Sequence, residues 1–104
     1  MDTTNHTINR SAALKIAEAR VLAMGAAAGD IFQILPNETR ELEQGWLFFF
    51  NSADYVRTHD PVFALAGNGP VLVRRTGQVA MLPSGAAWQD MINDKPRQQR
   101  RYSA

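Results

Sequence analysis

The element that most narrows the folds open to this chain is Gly45-Trp46-Leu47-Phe48-Phe49-Phe50, a glycine followed by an unbroken apolar run that ends at Asn51. The run is too short for an independent helix, and aromatic side chains favour a pleated, buried surface. It predicts a central strand over residues 46–50. Alternation at period two sends Trp46, Phe48 and Phe50 to one face and Leu47, Phe49 and Asn51 to the other. A strand apolar on both faces requires a covering layer on each.

The first cover is predicted at residues 9–28, an alanine-rich segment with Leu14, Ala17, Val21 and Met24 recurring along one helical stripe. Asn9 or Ser11 can cap its start, Gly25 and Gly29 bracket its end, and the small residues Ala26, Ala27 and Ala28 would let the turn approach a sheet. Ile31-Phe32-Gln33-Ile34-Leu35 reads as a first strand that can resume through Thr39 after Pro36-Asn37. The polar stretch 38–44 reads as an acidic loop, either a hairpin connection or the mouth of a bulged hairpin.

The second cover is predicted at residues 53–65, as two short helical turns interrupted by Asp60-Pro61. Beyond it, Ala66-Gly67-Asn68-Gly69-Pro70 breaks the chain and delivers it into Val71-Leu72-Val73-Arg74. Arg75-Thr76-Gly77 supplies a glycine where a hairpin needs a left-handed residue, and residues 78–82 return. Ser84 can cap a last short helix with Trp88, Met91 and Ile92 on one side.

These elements predict an α+β domain, with an N-terminal helix packed on a roughly four-stranded antiparallel sheet and a short C-terminal helix. At 104 residues the chain suits one domain. Its boundaries are placed at 1–8 for a flexible N-terminus, 9–94 for the domain and 95–104 for a basic flexible tail. Lys95, Arg97, Arg100 and Arg101 of that tail hold four of the 11 basic residues, leaving seven against 10 acidic ones, so the net +1 hides a body at −3. A nucleic-acid binder would carry its basic patch on the folded face. With no cysteine, no basic patch followed by an apolar run near the N-terminus and no run of membrane-span length, neither a nucleic-acid nor a membrane partner is expected, and the predicted address is cytoplasmic.

Chemistry finds little purchase. His6 and His59 have no second ligand at metal-binding spacing, so no metal and no cofactor are expected. Ser52 or Ser84 with His59 and Asp54 could be assembled into a nucleophilic set, but no glycine-flanked serine elbow supports it. Glu38, Glu41 and Glu43 fit a solvated loop better than a catalytic pair. The Gly67-Asn68-Gly69-Pro70 turn precedes a strand, so it lacks the helix N-terminus a phosphate loop needs. The tail with Tyr102 suits solubility better than anion binding. No catalytic residue is expected. What remains is partner surface: an apolar patch at Leu47 and Phe49 if the second layer is incomplete.

Gly45-Trp46-Leu47-Phe48-Phe49-Phe50, then Leu65-Ala66-Gly67-Asn68-Gly69-Pro70, then the hairpin from Val71 through Gly77 to Val79 together resemble the immunity protein 35 family of bacterial polymorphic toxin systems, which includes YrhB-type heat-shock proteins. The resemblance spans about half the chain in order and spacing. It implies an antidote that binds and blocks a cognate toxin by occluding its active site; the YrhB-like branch implies instead a small holdase chaperone. It supplies no catalytic residues. The shared positions Trp46, Phe48, Gly67, Pro70 and Gly77 read as core aromatics and backbone turns. Toxin recognition is therefore assigned to variable acidic surface, with Glu38, Glu41, Glu43, Asp54, Tyr55 and Asp60 as the candidate contacts. The stretch 36–44 is longer than in the YrhB-type branch, and the arginine-rich tail has no counterpart there; both favour the antidote.

Overall fold

The computed structural model describes residues 7–83. Helix α1 (Arg10–Ala27) starts where Asn9 accepts a hydrogen bond from the Ala12 N–H at 2.9 Å, so the first of the two candidate caps is the one used. Its buried stripe is Ala13, Ala17, Val21 and Gly25, with Leu14 and Met24 half-buried at its margins. Small residues at this i, i+4 spacing let the helix lie close to the strands. A Cβ on Gly25 would fall 2.8 Å from the Phe32 amide nitrogen and 2.9 Å from the Asp30 carbonyl oxygen. The close approach is therefore made at Gly25, while Ala26, Ala27 and Ala28 remain exposed.

Six strands follow in two sheets. β1 (Phe32–Ile34) pairs antiparallel with β4 (Phe50–Ser52), and β2 (Arg40–Leu42), β3 (Gly45–Phe48), β5 (Val71–Arg74) and β6 (Val79–Met81) form an antiparallel sheet in the order β2-β3-β5-β6. The expected helix-on-sheet α+β architecture is present, and the four-stranded sheet is its main body. Two expectations need correction. The acidic stretch is not a loop: after a 3-10 turn at Pro36–Glu38 it enters β2, where Arg40, Glu41 and Leu42 face Leu47, Trp46 and Gly45.

The aromatic run is not one strand either. It changes partners at Phe49, whose carbonyl accepts from the Leu35 N–H, so residues up to Phe48 pair with β2 and β5 while those from Phe50 pair with β1. Two side-chain hydrogen bonds from farther along the chain accompany the switch. The Asn68 side-chain amide donates to the Phe50 carbonyl at 3.1 Å, and the Asn51 side-chain oxygen accepts from the Leu65 N–H at 2.8 Å. Side chains thus satisfy backbone groups that a continued ladder with β5 would have used.

The alternation of faces survives this break. Trp46, Phe48 and Phe50 join Ala13, Ala17, Val21, Ile34, Val71 and Val73 in the principal core under α1, with the Phe32 and Phe50 rings stacked 5.8 Å apart. On the opposite face Leu47 is fully buried and clusters with Leu72 and Leu82, flanked by Leu42, Phe49 and Ala80. Residues 53–65 do not supply that second layer as expected; Leu65 packs against the principal core instead. They do form the two helical turns, α2 (Ala53–Thr58) and a 3-10 turn at Pro61–Phe63.

The β5–β6 hairpin closes through Arg74 and Gln78, with Gly77 at φ 96° in the left-handed region its turn requires. Gly67, at φ 79°, and buried Pro70 shape the breaker before β5, and the Pro70 carbonyl accepts from Leu82. The expected Ser84-capped helix and the basic tail lie outside the described residues.

Candidate functional site

The candidate contact residues fall into two groups rather than one surface. The first is built on α2. Ser52, 2% exposed, caps this helix by accepting from the Tyr55 N–H at 3.0 Å while its hydroxyl donates to the Phe63 carbonyl at 2.7 Å. That pair of bonds ties α2 to the 3-10 turn behind it and holds Asp54 and Tyr55 on the helix's first turn. Asp54 is ion-paired with Arg57 at 2.6 Å, with both side chains more than half exposed. His59 ends the helix at φ 59°, its N–H donating to the Tyr55 carbonyl and its ring lying edge-on to the Tyr55 ring at 5.9 Å. Asp60 is exposed and caps the next turn by accepting from the Val62 N–H.

The Ser/His/Asp set considered from the sequence is not assembled. The Ser52 hydroxyl is engaged with backbone, the Asp54 carboxylate with Arg57, and the His59 ring with Tyr55. Ser84, the other candidate hydroxyl, lies outside the described residues.

Glu38 joins the α2 group through space. Carried on the 3-10 turn before β2, it lines a depression of about 370 Å³ with Leu35, Pro36, Asn37, Tyr55, Val56 and His59. Pro36 and Val56 also line a second depression of about 360 Å³, between α1 and β1, whose other walls are Leu14, Glu18, Val21, Leu22, Phe32, Gln33 and Ile34. The two depressions adjoin at Pro36 and Val56.

The second group sits across the molecule's main sheet. Glu41, on β2, pairs with Arg75 at 3.1 Å, and the same guanidinium donates to the Leu42 carbonyl at 2.5 Å and the Glu43 carbonyl at 3.3 Å. Its flat face lies 4.4 Å from the centre of the Trp46 ring. Arg75 is thus a clamp between the β2–β3 and β5–β6 hairpins, and the Glu41 carboxylate is half committed to it. Sequence reading passed over Arg75, which appeared only as a turn residue. It also passed over Glu18 and Leu22, although Leu14, Glu18 and Leu22 are spaced at i, i+4 beside the buried stripe of α1.

The apolar patch that an incomplete second layer would have left at Leu47 and Phe49 is not seen among the described residues: Leu47 is fully buried and Phe49 is half-buried beneath the Arg40 guanidinium, 5.7 Å from its ring centre. The large exposed apolar residues are instead Leu22, Ile31, Val62, Phe63 and Met81. Among the described residues no group of three or more His, Asp or Glu side chains could hold a metal ion, and no helix is long and apolar enough to cross a membrane.

The fold is that of a small α+β domain, a helix on antiparallel sheet with mostly apolar depressions beside the helix. The chain belongs to the Immunity protein 35 family, whose family model matches residues 11–102. Comparison with curated proteins and with solved structures returns no match. The family match extends through the aromatic run, the glycine-rich breaker and the hairpin on which the resemblance rested.

Proposed function

We propose that this protein is a toxin antidote: it binds a cognate bacterial toxin in the cytoplasm and blocks it by covering the active site, with no catalysis of its own. The observation that carries the reading is the family match over residues 11–102. The distribution of acidic side chains supports it. Glu38, Asp54, Tyr55 and Asp60 lie on and beside α2, while Glu41 and Glu43 belong to the β2–β3 hairpin. Toxins acting on nucleic acids or other anionic substrates carry basic clefts, and acidic surface both steers encounter with such a cleft and fills it.

Within this surface Glu38 stands beside Tyr55 and His59 at one depression, whereas the Glu41 carboxylate is paired with Arg75 and that of Asp54 with Arg57. The heat-shock holdase reading required exposed apolar surface around Leu47 and Phe49, and burial of Leu47 removes that basis. Co-expression of the chain with the effector domain of the toxin encoded beside it is expected to restore growth of cells that the effector alone kills. Cells that die regardless would refute the antidote. Broad suppression of heat-induced aggregation of unrelated proteins, without rescue, would restore the chaperone.

A further inference from the structure

Among the described residues, strand β1 is paired on one side only. In its ladder with β4, the Ala53 N–H donates to the Ile31 carbonyl and the Leu35 N–H to the Phe49 carbonyl. Antiparallel geometry then places Phe32 opposite Ser52 and Ile34 opposite Phe50 as non-hydrogen-bonded pairs, so the N–H and C=O of Ile34 and the C=O of Phe32 point away from β4. Among the described residues none of these groups has a partner. Gly25 of α1 closes one end of this edge against the Phe32 nitrogen, and Pro36, which has no N–H, closes the other.

The unpaired edge runs along the floor of the groove between the two helices. Leu14, Glu18, Val21 and Leu22 of α1 form one wall and Val56 of α2 the other, with Phe32, Gln33, Ile34 and Pro36 between them. The neighbouring depression continues it past Leu35, Glu38, Tyr55 and His59. Ile34 is only 7% exposed and lines the first depression, and an unmet hydrogen bond at a buried backbone group is costly. Leu22 stands 60% exposed at the rim. The residues lining the two depressions include the carboxylates of Glu18 and Glu38 and no lysine or arginine.

Backbone groups at the floor, apolar walls and acidic ends specify one kind of occupant. We propose that this groove takes an extended segment of the toxin, apolar in its middle and flanked by lysine or arginine, which adds as a short strand along Ile34 and seats its side chains between Leu22 and Val56. The assignment rests on the antidote reading above and names the surface that reading uses. Backbone pairing fixes the segment's register, the walls select alternate side chains, and Glu18 and Glu38 select its charged flanks. Apolar contacts govern how long the complex lasts, and the carboxylates govern how fast it forms.

The test uses the full chain and the inactivated effector domain of the adjacent toxin. Binding is measured by calorimetry for the wild type, Leu22→Glu, Val56→Glu, the pair Glu18→Lys/Glu38→Lys, and Thr76→Lys at an exposed position outside the groove. The groove variants are expected to weaken Kd by about tenfold or more and Thr76→Lys by much less; circular dichroism of each variant establishes that it is folded. In a second measurement, amide exchange of wild-type protein is expected to slow at Ile34 when the effector binds. Unchanged affinity of the folded groove variants, or an Ile34 amide unprotected in a complex that forms, overturns the groove assignment and leaves the antidote standing. Failure of the wild-type chain to bind the effector at all overturns both. If the free chain is a dimer that Leu22→Glu converts to monomer, the occupant is a second copy of this chain and the toxin-segment assignment falls.

Discussion

At the scale of single residues, Arg75 and Ser52 each hold two elements together with one side chain. Arg75 joins the hairpins through the Leu42 and Glu43 carbonyls, the Glu41 carboxylate and the Trp46 ring. Arg75→Ala is expected to lower unfolding free energy by about 1–2 kcal/mol, and Arg75→Lys to recover only part, because an ammonium cannot lie flat on the indole and reach the same carbonyls. Arg57→Ala breaks a shorter ion pair but an exposed one, and its expected cost is about 0.5 kcal/mol or less. Urea denaturation of the three variants checks the ordering; equal losses for Arg75→Ala and Arg57→Ala would contradict it. Ser52→Ala removes a helix cap and leaves the Phe63 carbonyl without its donor. A loss of about 1–2 kcal/mol is expected by the same measurement.

At the scale of elements, Gly25 sets helix propensity against sterics. In an exposed helix Gly→Ala gains about 1 kcal/mol. Here the new Cβ meets two backbone atoms, the Phe32 nitrogen and the Asp30 oxygen. Gly25→Ala is therefore expected to destabilise by about 1–3 kcal/mol; a raised thermal midpoint would show that α1 and β1 can separate freely. The elements that the sequence made legible are those whose pattern is local. Asn9 as a cap, the stripe of Ala17 and Val21, and Gly77 in its hairpin depend on neighbours a few residues away, so periodicity and turn chemistry reveal them. The division of the aromatic run does not, because it is enforced by Asn68 and Leu65, whose bonds to Phe50 and Asn51 cross 18 and 14 residues of chain. The acidic stretch was hidden for a related reason: β2 is a half-exposed edge of three residues, and its pairing comes from Trp46 and Leu47 rather than from its own composition. The groove was hidden most deeply. Its walls come from two helices that only the fold brings to the same strand, whereas the carboxylates chosen from the sequence were selected by charge alone.

At the scale of the whole molecule, Trp46, Phe48 and Phe50 form the interior, and the proposed recognition uses the periphery. If Glu18 and Glu38 steer the toxin, the association rate should fall as salt rises, while the dissociation rate, governed by apolar contacts, should change little; stopped-flow measurements at several ionic strengths separate the two. Trp46 offers a view of the interior itself. Its ring is 2% exposed, and its indole nitrogen is buried with no acceptor among the described residues. In heavy water that hydrogen can be replaced only when the layers part, so it acts as a clock for the opening of the entire core. Its exchange is expected to be as slow as that of the most protected amides of β3 and β5. Replacement within the dead time of the measurement would mean that the centre of this fold opens far more readily than its packing implies.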